Sequence, residues 1–455
     1  MIIIIFIIFI AFFVKGAFFL DPDFGWHLKM GQLILHQGIP ATDPFSYTMP
    51  SFPFIDHEWL TNVIIALLYP TIGMYGLAII AAFLTVAAVY MQIGRNWYRW
   101  TPCLFLLTST TLISFTGVRP QIISWFFLSL LFTIVFNKKT RWRFTLPLLF
   151  LLWTNLHGGF AMGIAALLVV IIARFFEQKK VNVADIFVFL CCIAATFVNP
   201  YKARVWEEIW RSISDQNLRG SIQEWTPTIF VADFSTWILI PFSFISLFRY
   251  KNRFSLPQLS VWLTLLIAGL SSIRHFPLWT VINLAMQNSN FLYFQKEASL
   301  HKYGKKRFAT ATSGFFAGVG FLFFVYICLM LRLLLINDAP YPASAVRYLK
   351  NNLPASQIFS VYRWGGYLIW KLPEKKVFID GRMPSWKWES APHGESNNAF
   401  LEYNKMLSGK IPMKHIIDKY HIDTLLFPVD LAKQFKSAGI KEVYRDSVAV
   451  IYFAP

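Results

Sequence analysis

Long apolar runs recur along most of this chain and are separated by short polar segments. Runs of about 18 or more apolar residues are long enough to cross the hydrocarbon core of a bilayer as helices. Window length and basic flanks together predict about eleven membrane spans. They lie near residues 2–20, 72–93, 101–117, 120–136, 143–157, 160–175, 184–199, 231–248, 256–273, 276–293 and 313–336.

The connections between these spans alternate in their content of lysine and arginine. Connections rich in these residues stay in the cytoplasm. The connection at 200–230, on the other side, also holds basic residues, but acidic residues offset them. An odd number of spans then places both the 21–71 loop and the C-terminal tail outside. The basic connections contain Arg95 and Arg99; Lys138, Lys139, Arg141 and Arg143; Arg174, Lys179 and Lys180; Arg249, Lys251 and Arg253; and Lys296, Lys302, Lys305, Lys306 and Arg307.

The pattern changes after residue 337, where long apolar runs stop and charged residues become frequent. Helices are predicted at 343–351, 398–407 and 413–420, and strands at 358–362, 376–380, 422–427 and 447–453. Short helices alternating with short strands are typical of a small α/β domain. The predicted organisation is an α-helical transmembrane domain, residues 1–337, with a large first outer loop, 21–71, and then an extracytoplasmic α/β domain, residues 338–455.

Composition agrees with a multi-pass membrane protein. Hydrophobic residues make up 56% of the chain, charged residues only 15%, and the mean hydropathy is +0.49. The net charge of +18 would suggest nucleic acid in a soluble protein, but basic cytoplasmic loops account for it here, so no nucleic-acid partner is expected. The four cysteines lie in apolar runs without zinc-ligand spacing.

Polar residues gather at the predicted outer ends of the spans. A charge at membrane depth costs on the order of 2–3 kcal/mol, so such charges are usually retained for a site. Each of them alone is as easily an interfacial anchor or a loop residue, but together they predict a cavity that opens outward. The candidates are Asp21, Asp23, His27, Glu58, Arg119, His157, Arg274 and His275.

Asp21 and Asp23 directly follow the first predicted span. Two carboxylates at this spacing suit a divalent cation, or one of them suits a general base that deprotonates an acceptor hydroxyl. The alternative is structural, because Asp-Pro-Asp is also good turn chemistry. A divalent cation and no cofactor at all therefore both stay open.

Arg119, Arg274 and His275 are cations suited to binding a phosphate or pyrophosphate. The alternative is charge balance for nearby carboxylates. His157 lies in a His-Gly-Gly corner where it could donate to an anion, and the glycines would let the backbone approach closely. A histidine between helices is also commonly structural.

Several motifs resemble those of the GT-C glycosyltransferases, such as the protein O-mannosyltransferases and the aminoarabinose transferases of lipid A. The resemblance is to an uncharacterised bacterial branch and spans most of the chain as a pattern. It rests on an apolar first helix followed at once by an acidic motif in a large outer loop, and on Asp21–His27, Gly38–Pro40, Asp43–Ser46, His57–Leu60, Arg119–Gln121, Asn155–Gly159, Asn199–Tyr201, Trp364–Tyr367 and Asp380–Arg382.

This resemblance implies a hexosyl or pentosyl transferase with the first-loop acid, Asp23 or Asp21, at its active site. The donor would be a polyprenyl-phosphate sugar whose lipid stays in the bilayer, and His27 and Glu58 would contact substrate. The acceptor would be an extracytoplasmic glycan, lipid or protein, and the location the plasma (inner) membrane. The mannosyltransferases commonly carry Asp-Glu where this chain has Asp-Pro-Asp, which leaves the donor and metal use open.

Two further segments have open interpretations. Residues 58–70 form either an amphipathic helix on the membrane surface, which would shape the lipid-facing entrance, or the start of the second span. Asp380 and Arg382 form either part of a site at a strand end or a local structural pair.

The alternative function is a transporter or flippase of lipid-linked glycans. A transporter is expected to show polar residues at mid-depth in broken helices and two related halves, and the sequence shows neither. A membrane scaffold displaying the C-terminal domain leaves the acids and arginines at the span ends unexplained.

Overall fold

The computed structural model describes residues 2–93, 101–137, 140–231, 233–300, 341–432 and 440–453, with residues 314, 318–321, 323–329 and 332. The chain divides into two compact units. The helical unit comprises Met1–Phe19 and Ile72–Arg332, and the α/β unit comprises Leu20–Thr71 and Leu333–Pro455. The first loop therefore belongs with the C-terminal residues, although residues 72–332 separate them in the sequence.

Each of the first ten predicted spans coincides with a helix. Two described helices, Trp59–Ile93 and Phe160–Gln178, are long and apolar enough to cross a membrane, and further apolar helices have 10–17 residues. The count of eleven crossings stays a prediction, and residues 313–336 lie largely outside the described residues. The helices before residue 301 are α1 Ile2–Phe18, α2 Phe24–Gln37, α3 Trp59–Ile93, α4 Thr101–Ile113, α5 Gln121–Val135, α6 Leu146–Leu156, α7 Phe160–Gln178, α8 Val183–Ala195, α9 Arg204–Ser214, α10 Gln216–Ser221, α11 Thr228–Val231, α12 Phe234–Tyr250, α13 Leu256–Ser271 and α14 Phe276–Leu300.

Helix α3 is interrupted at Gly73, where φ is 60° and ψ is −165°. Only glycine adopts this combination readily, because a Cβ would clash with the backbone. The break separates residues 59–72 from the span predicted to begin at residue 72. In the first segment Asn62 and Ala66 are buried while Ile64 and Leu67 are exposed, so its outer face is apolar. A position of this segment on the membrane surface stays a prediction.

The helical unit is apolar both inside and outside. Its core contains fully buried tryptophans, and Trp262 Nε1 donates to Asn283 Oδ1 at 2.9 Å, so the buried indole N–H is satisfied. Outward-facing side chains such as Phe83, Ile245 and Phe248 remain largely exposed within the chain. A helix that is apolar on every face suits a lipid environment, where no water is present to solvate polar side chains.

The α/β unit contains one four-stranded sheet with the order β1-β2-β4-β3. The strands are β1 Gln357–Ser360, β2 Ile422–Pro428, β3 Lys441–Arg445 and β4 Ala449–Phe453. β1 runs parallel to β2, and the other two pairs are antiparallel. The three predicted helices are confirmed as Ala343–Asn351, Ala399–Leu407 and Met413–Tyr420. The prediction missed β3, the 14-residue helix α2 of the first loop, and two short helices, Gly365–Lys371 and Val429–Ala432.

The prediction of a strand at 376–380 was wrong. Val377 forms an isolated parallel bridge with Ser46 of the first loop, and the segment does not join the sheet. Val377 N–H donates to Phe45 O at 2.9 Å, Tyr47 N–H donates to Val377 O at 3.1 Å, and Thr48 Oγ1 donates to Phe378 O at 2.7 Å. Hydrogen bonds between distant parts of the sequence thus fasten the first loop within the α/β unit.

Close backbone packing also joins α2 to helix Gly365–Lys371. A Cβ added at Gly25 would overlap Gly366 O, and one added at Gly366 would overlap Pro22 O. Phe24 of α2 packs edge-on against Trp370, with ring centroids 5.3 Å apart. Glycine is therefore required on both sides of this contact.

Candidate functional site

The two first-loop aspartates lie at the start of α2. Asp21 Oδ1 accepts the Asp23 N–H at 3.0 Å, which is the turn expected of Asp-Pro-Asp. Asp23 is the N-cap residue of α2, but its side chain makes no capping hydrogen bond. Its carboxylate instead lies against Gly381, where an added Cβ would overlap Asp23 Oδ1. The C-terminal motif Asp380–Arg382 therefore helps to position Asp23.

Arg382 is buried and holds this motif in place. Its Nε and Nη2 donate to Asp380 at 2.8 and 2.7 Å, and its Nη1 lies 2.7 Å from Asp43 Oδ1. Burial alone would lower the pKa of Arg382, but the two carboxylates outweigh it and raise that pKa. The guanidinium therefore stays charged. Four aromatic rings surround it with centroids 5.0–5.8 Å away, those of Trp26, Phe45, Phe54 and Trp386.

This arrangement favours the structural interpretation of Asp380 and Arg382. A bidentate guanidinium–carboxylate pair has fixed geometry. Asp43, in the first loop, binds the same guanidinium. Arg382 therefore holds the first loop against the segment 380–382, which contains Gly381.

His27 and Glu58 belong to a second buried polar cluster in the α/β unit. His27 Nδ1 lies 2.7 Å from Asn62 Oδ1, and Asn62 Nδ2 donates to Asp56 Oδ2 at 2.8 Å. Because the Asn62 amide donates to a carboxylate, its oxygen must accept, so His27 carries its proton on Nδ1. His27 Nδ1 also lies 3.6 Å from Glu58 Oε2.

Asp56 in this cluster titrates near neutrality. Burial raises its pKa and the charge of Glu58 raises it further, while the hydrogen bonds from Asn62 and from the Glu58 backbone and the charge of Arg382 lower it. The resulting pKa is about 7. The sequence analysis did not single out Asp56, because the shift of its pKa depends on burial of the loop, which the sequence does not reveal.

Arg119, Arg274 and His275 come together in the helical unit. Glu224 lies between the arginines, 2.9 Å from Arg119 Nη2 and 3.8 Å from Arg274 Nη1. Trp225 contacts both Arg274, whose guanidinium is 5.4 Å from the ring centroid, and His275, 6.0 Å away. Two guanidinium groups share one partly exposed carboxylate, which leaves a net positive charge suited to a phosphate.

His157 is held in one tautomer by a hydrogen-bond chain in the helical unit. Trp153 Nε1 donates to Ser124 Oγ at 2.8 Å, and Ser124 Oγ lies 2.6 Å from His157 Nδ1. The Gly159 N–H also donates to His157 Nδ1, at 2.9 Å. An indole N–H and an amide N–H can only donate, so Nδ1 accepts and the ring proton sits on Nε2. The Nε2–H group of His157 is therefore the ring's hydrogen-bond donor.

The structure places the eight candidate residues in two different units. Asp21, Asp23, His27 and Glu58 belong to the α/β unit, and Arg119, His157, Arg274 and His275 belong to the helical unit. The approach of the two groups to one cavity stays a prediction. Within the described residues, no group of three or more His, Cys, Asp and Glu side chains could hold a metal ion, and the choice between a divalent cation and no cofactor stays open.

The fold is shared with solved structures of an archaeal oligosaccharyltransferase. The Archaeoglobus fulgidus oligosaccharyltransferase AglB, in complex with an inhibitory peptide and a dolichol-phosphate, is 10% identical over 95% of this chain and 69% of its own, with a TM-score of 0.60. The apo form of the A. fulgidus oligosaccharyltransferase is also 10% identical, over 99% of this chain and 74% of its own, with a TM-score of 0.61.

These similarities show that the chain has the fold of this oligosaccharyltransferase, which is consistent with the predicted resemblance to the GT-C glycosyltransferases. The narrower resemblance to O-mannosyltransferases and aminoarabinose transferases stays a prediction. No protein-family model matches the chain, and no curated protein matches it.

Proposed function

We propose that this chain is a membrane glycosyltransferase that transfers a sugar from a polyprenyl-phosphate-linked donor to an acceptor outside the membrane. The observation that carries the proposal is the fold, which matches an oligosaccharyltransferase in complex with a dolichol-phosphate over 95% of this chain. The acid at the start of α2 and the paired arginines support it, because sugar transfer from a lipid phosphate needs a base and a cationic phosphate site.

The proposed reaction uses each site residue in a separate role. Asp23 accepts the proton of the acceptor hydroxyl as a general base. The hydroxyl oxygen forms a bond to the anomeric carbon, and the bond from that carbon to the phosphate oxygen breaks. Arg119 and Arg274 stabilise the negative charge that develops on the departing lipid phosphate, and His157 donates a hydrogen bond from Nε2.

The proposal also specifies a donor, an acceptor and a location. The donor lipid stays in the bilayer beside the apolar helices, and the acceptor is an extracytoplasmic glycan, lipid or protein. The protein then lies in the plasma (inner) membrane as a multi-pass protein with its C-terminal residues outside. The peptide bound to AglB supports an acceptor site on a protein of this fold.

The direct test measures donor turnover by the purified full chain in nanodiscs. A fluorescent or radiolabelled polyprenyl-phosphate sugar is supplied, and release of free polyprenyl phosphate and sugar transfer are followed together. Turnover supports an enzyme. Movement of intact donor between leaflets without turnover would identify the chain as a transporter or flippase of lipid-linked glycans and overturn the proposal.

Replacing Arg274 by alanine is expected to raise the KM for the lipid-phosphate donor by roughly 10- to 100-fold, the usual effect of losing a hydrogen bond to a charged group. Arg274→Lys should recover only part of it, because lysine keeps the charge but not the planar fork. Arg253→Ala is the matched control, since Arg253 is an exposed arginine in a predicted cytoplasmic connection. Equal KM and kcat values for Arg274→Ala and the control would remove Arg274 from the donor site.

Reporter fusions made after residues 253 and 345 are expected to report opposite compartments. The connection at 249–253 is basic and should be cytoplasmic, whereas residues 338–455 should be outside. An alkaline phosphatase fusion should therefore be active only after residue 345, and a green fluorescent protein fusion should fluoresce only after residue 253. The same compartment for both positions would contradict the sidedness.

A further inference from the structure

A cavity of about 220 Å³ lies in the helical unit, away from the candidate phosphate site. It opens between the C-terminal end of α5, the start of α6, the C-terminal half of α7 and the start of α8. Apolar side chains such as Leu146, Leu167 and Ile171 line one part, and Arg143, Arg174 and Asp185 line another. A lining divided in this way suits a ligand with both a charged and an apolar part.

The charged part of this cavity has more positive than negative charge. Arg143 Nη1 lies 2.7 Å from Asp185 Oδ1, and Arg174 Nη1 lies 3.0 Å from Asp185 Oδ2. Each oxygen of the buried carboxylate thus faces one arginine. One positive charge remains uncompensated among these three groups, and the two arginine side chains are partly exposed, so the cavity can present this charge to an anion.

A buried donor in the same place lacks an acceptor. Arg143 Nε is buried and has no hydrogen-bond partner among the described residues. Arg174, by contrast, uses Nη2 to donate to Val135 O at 2.6 Å. Buried guanidinium N–H groups are normally satisfied, so an unmatched donor in a cavity wall points to an acceptor that the chain itself does not supply.

Exposed aromatic residues surround this end of the helices. Trp142, Phe144 and Phe176 are each about half exposed, and Lys179 Nζ lies 5.8 Å from the Phe176 ring centroid. Aromatic rings with adjacent lysines are typical of the membrane–water interface. The cavity therefore lies at the end of the helices where the basic connections predict the cytoplasmic side.

We propose that this cavity binds the phosphate of an anionic ligand, with Arg143 Nε as one donor, and that the phosphate belongs to a lipid headgroup. Basic pockets between membrane helices on the cytoplasmic side recognise headgroups in this way. The apolar lining accommodates the part of an acyl chain next to the headgroup. This site is distinct from the proposed donor site at Arg119 and Arg274.

The test measures binding of phosphatidylglycerol to the purified full chain by native mass spectrometry, with phosphatidylcholine and inorganic phosphate as comparison ligands. The wild-type chain should retain phosphatidylglycerol in preference to the other two. The variant is the double substitution Arg143→Gln/Asp185→Asn, which removes one positive and one negative charge together and so keeps the local net charge. The matched control is Arg204→Gln, an exposed arginine in the 200–230 connection.

The double variant should lose affinity for phosphatidylglycerol by roughly tenfold or more, because a charged donor has been replaced by a neutral one, and the control should keep wild-type affinity. The thermal unfolding midpoint of each variant, measured without lipid, shows whether the variant has folded. Arg143→Lys is a second variant, which keeps the positive charge but loses Nε. Equal retention of inorganic phosphate would overturn the lipid part of the proposal. Wild-type lipid affinity in folded Arg143→Lys and in the double variant would overturn the site.

Discussion

Replacing Asp23 by asparagine is expected to lower the rate of sugar transfer about 100- to 10,000-fold while the chain still folds. This is the usual cost of losing a positioned general base. The asparagine side chain has nearly the same shape as that of aspartate, so it should fit the space beside Gly381 and leave the packing unchanged. The measurement is turnover of a polyprenyl-phosphate sugar by the purified variant in nanodiscs, at saturating donor.

Two companion variants separate the proposed base from its neighbour. Asp21→Asn keeps an oxygen that can accept the Asp23 N–H, so transfer should stay near the wild-type rate if Asp23 is the base. Gly381→Ala should lower transfer although it removes no functional group, because its methyl group would overlap Asp23 Oδ1. Loss of activity in Asp21→Asn but not in Asp23→Asn would assign the base to Asp21. Wild-type rates in both asparagine variants would rule out first-loop catalysis.

A second large effect is expected on stability when Arg382 is replaced by methionine. The substitution leaves the buried carboxylates of Asp380 and Asp43 without their shared cation, and breaking a buried ion pair from one side costs about 3–5 kcal/mol. The full chain in detergent should unfold at a markedly lower temperature. Adding Asp43→Asn and Asp380→Asn should recover part of the loss, because no uncompensated charge then remains.

Arg445→Met provides the control for this prediction. Arg445 makes a similar two-point contact with Glu442, at 2.7 Å to each oxygen, but the pair is exposed. Water solvates both partners after the substitution, so little change in the unfolding temperature is expected. Equal unfolding temperatures for Arg382→Met and Arg445→Met would show that the buried cluster does not stabilise the α/β unit.

Much of the fold was predictable because local patterns decide it. The apolar runs located the ten helices that coincide with the first ten predicted spans, and the strand at 422–427 was predicted because it is an apolar run rich in residues that favour strands. The strand β3 was missed because Lys441–Arg445 is a charged, largely exposed strand, as edge strands often are. Residues 376–380 were assigned to the sheet because the sequence cannot show that their hydrogen-bond partners lie in the first loop.

The candidate site was predictable only as a set of charges at the ends of the spans. Their grouping depends on tertiary partners that carry no distinct signal in the sequence. Glu224 is one of four acids in the 200–230 connection, and only the structure shows that it joins Arg119 to Arg274. Ser124 and Trp153 lie within predicted apolar spans, so their control of the His157 tautomer could not be inferred.

The division of the α/β unit into two distant segments sets the order in which a ribosome can complete it. At about 5–20 residues per second, translation of residues 72–332 takes on the order of 10–50 s after the first loop has been made. Throughout that time Asp43 lacks Arg382, Gly25 lacks its packing partner at Gly366, and the Phe45 carbonyl lacks the Val377 N–H. The first loop must therefore persist without these partners until residues 333–455 have been made. A chain cut short by premature termination would carry an unfinished first loop that proteases and chaperones can recognise.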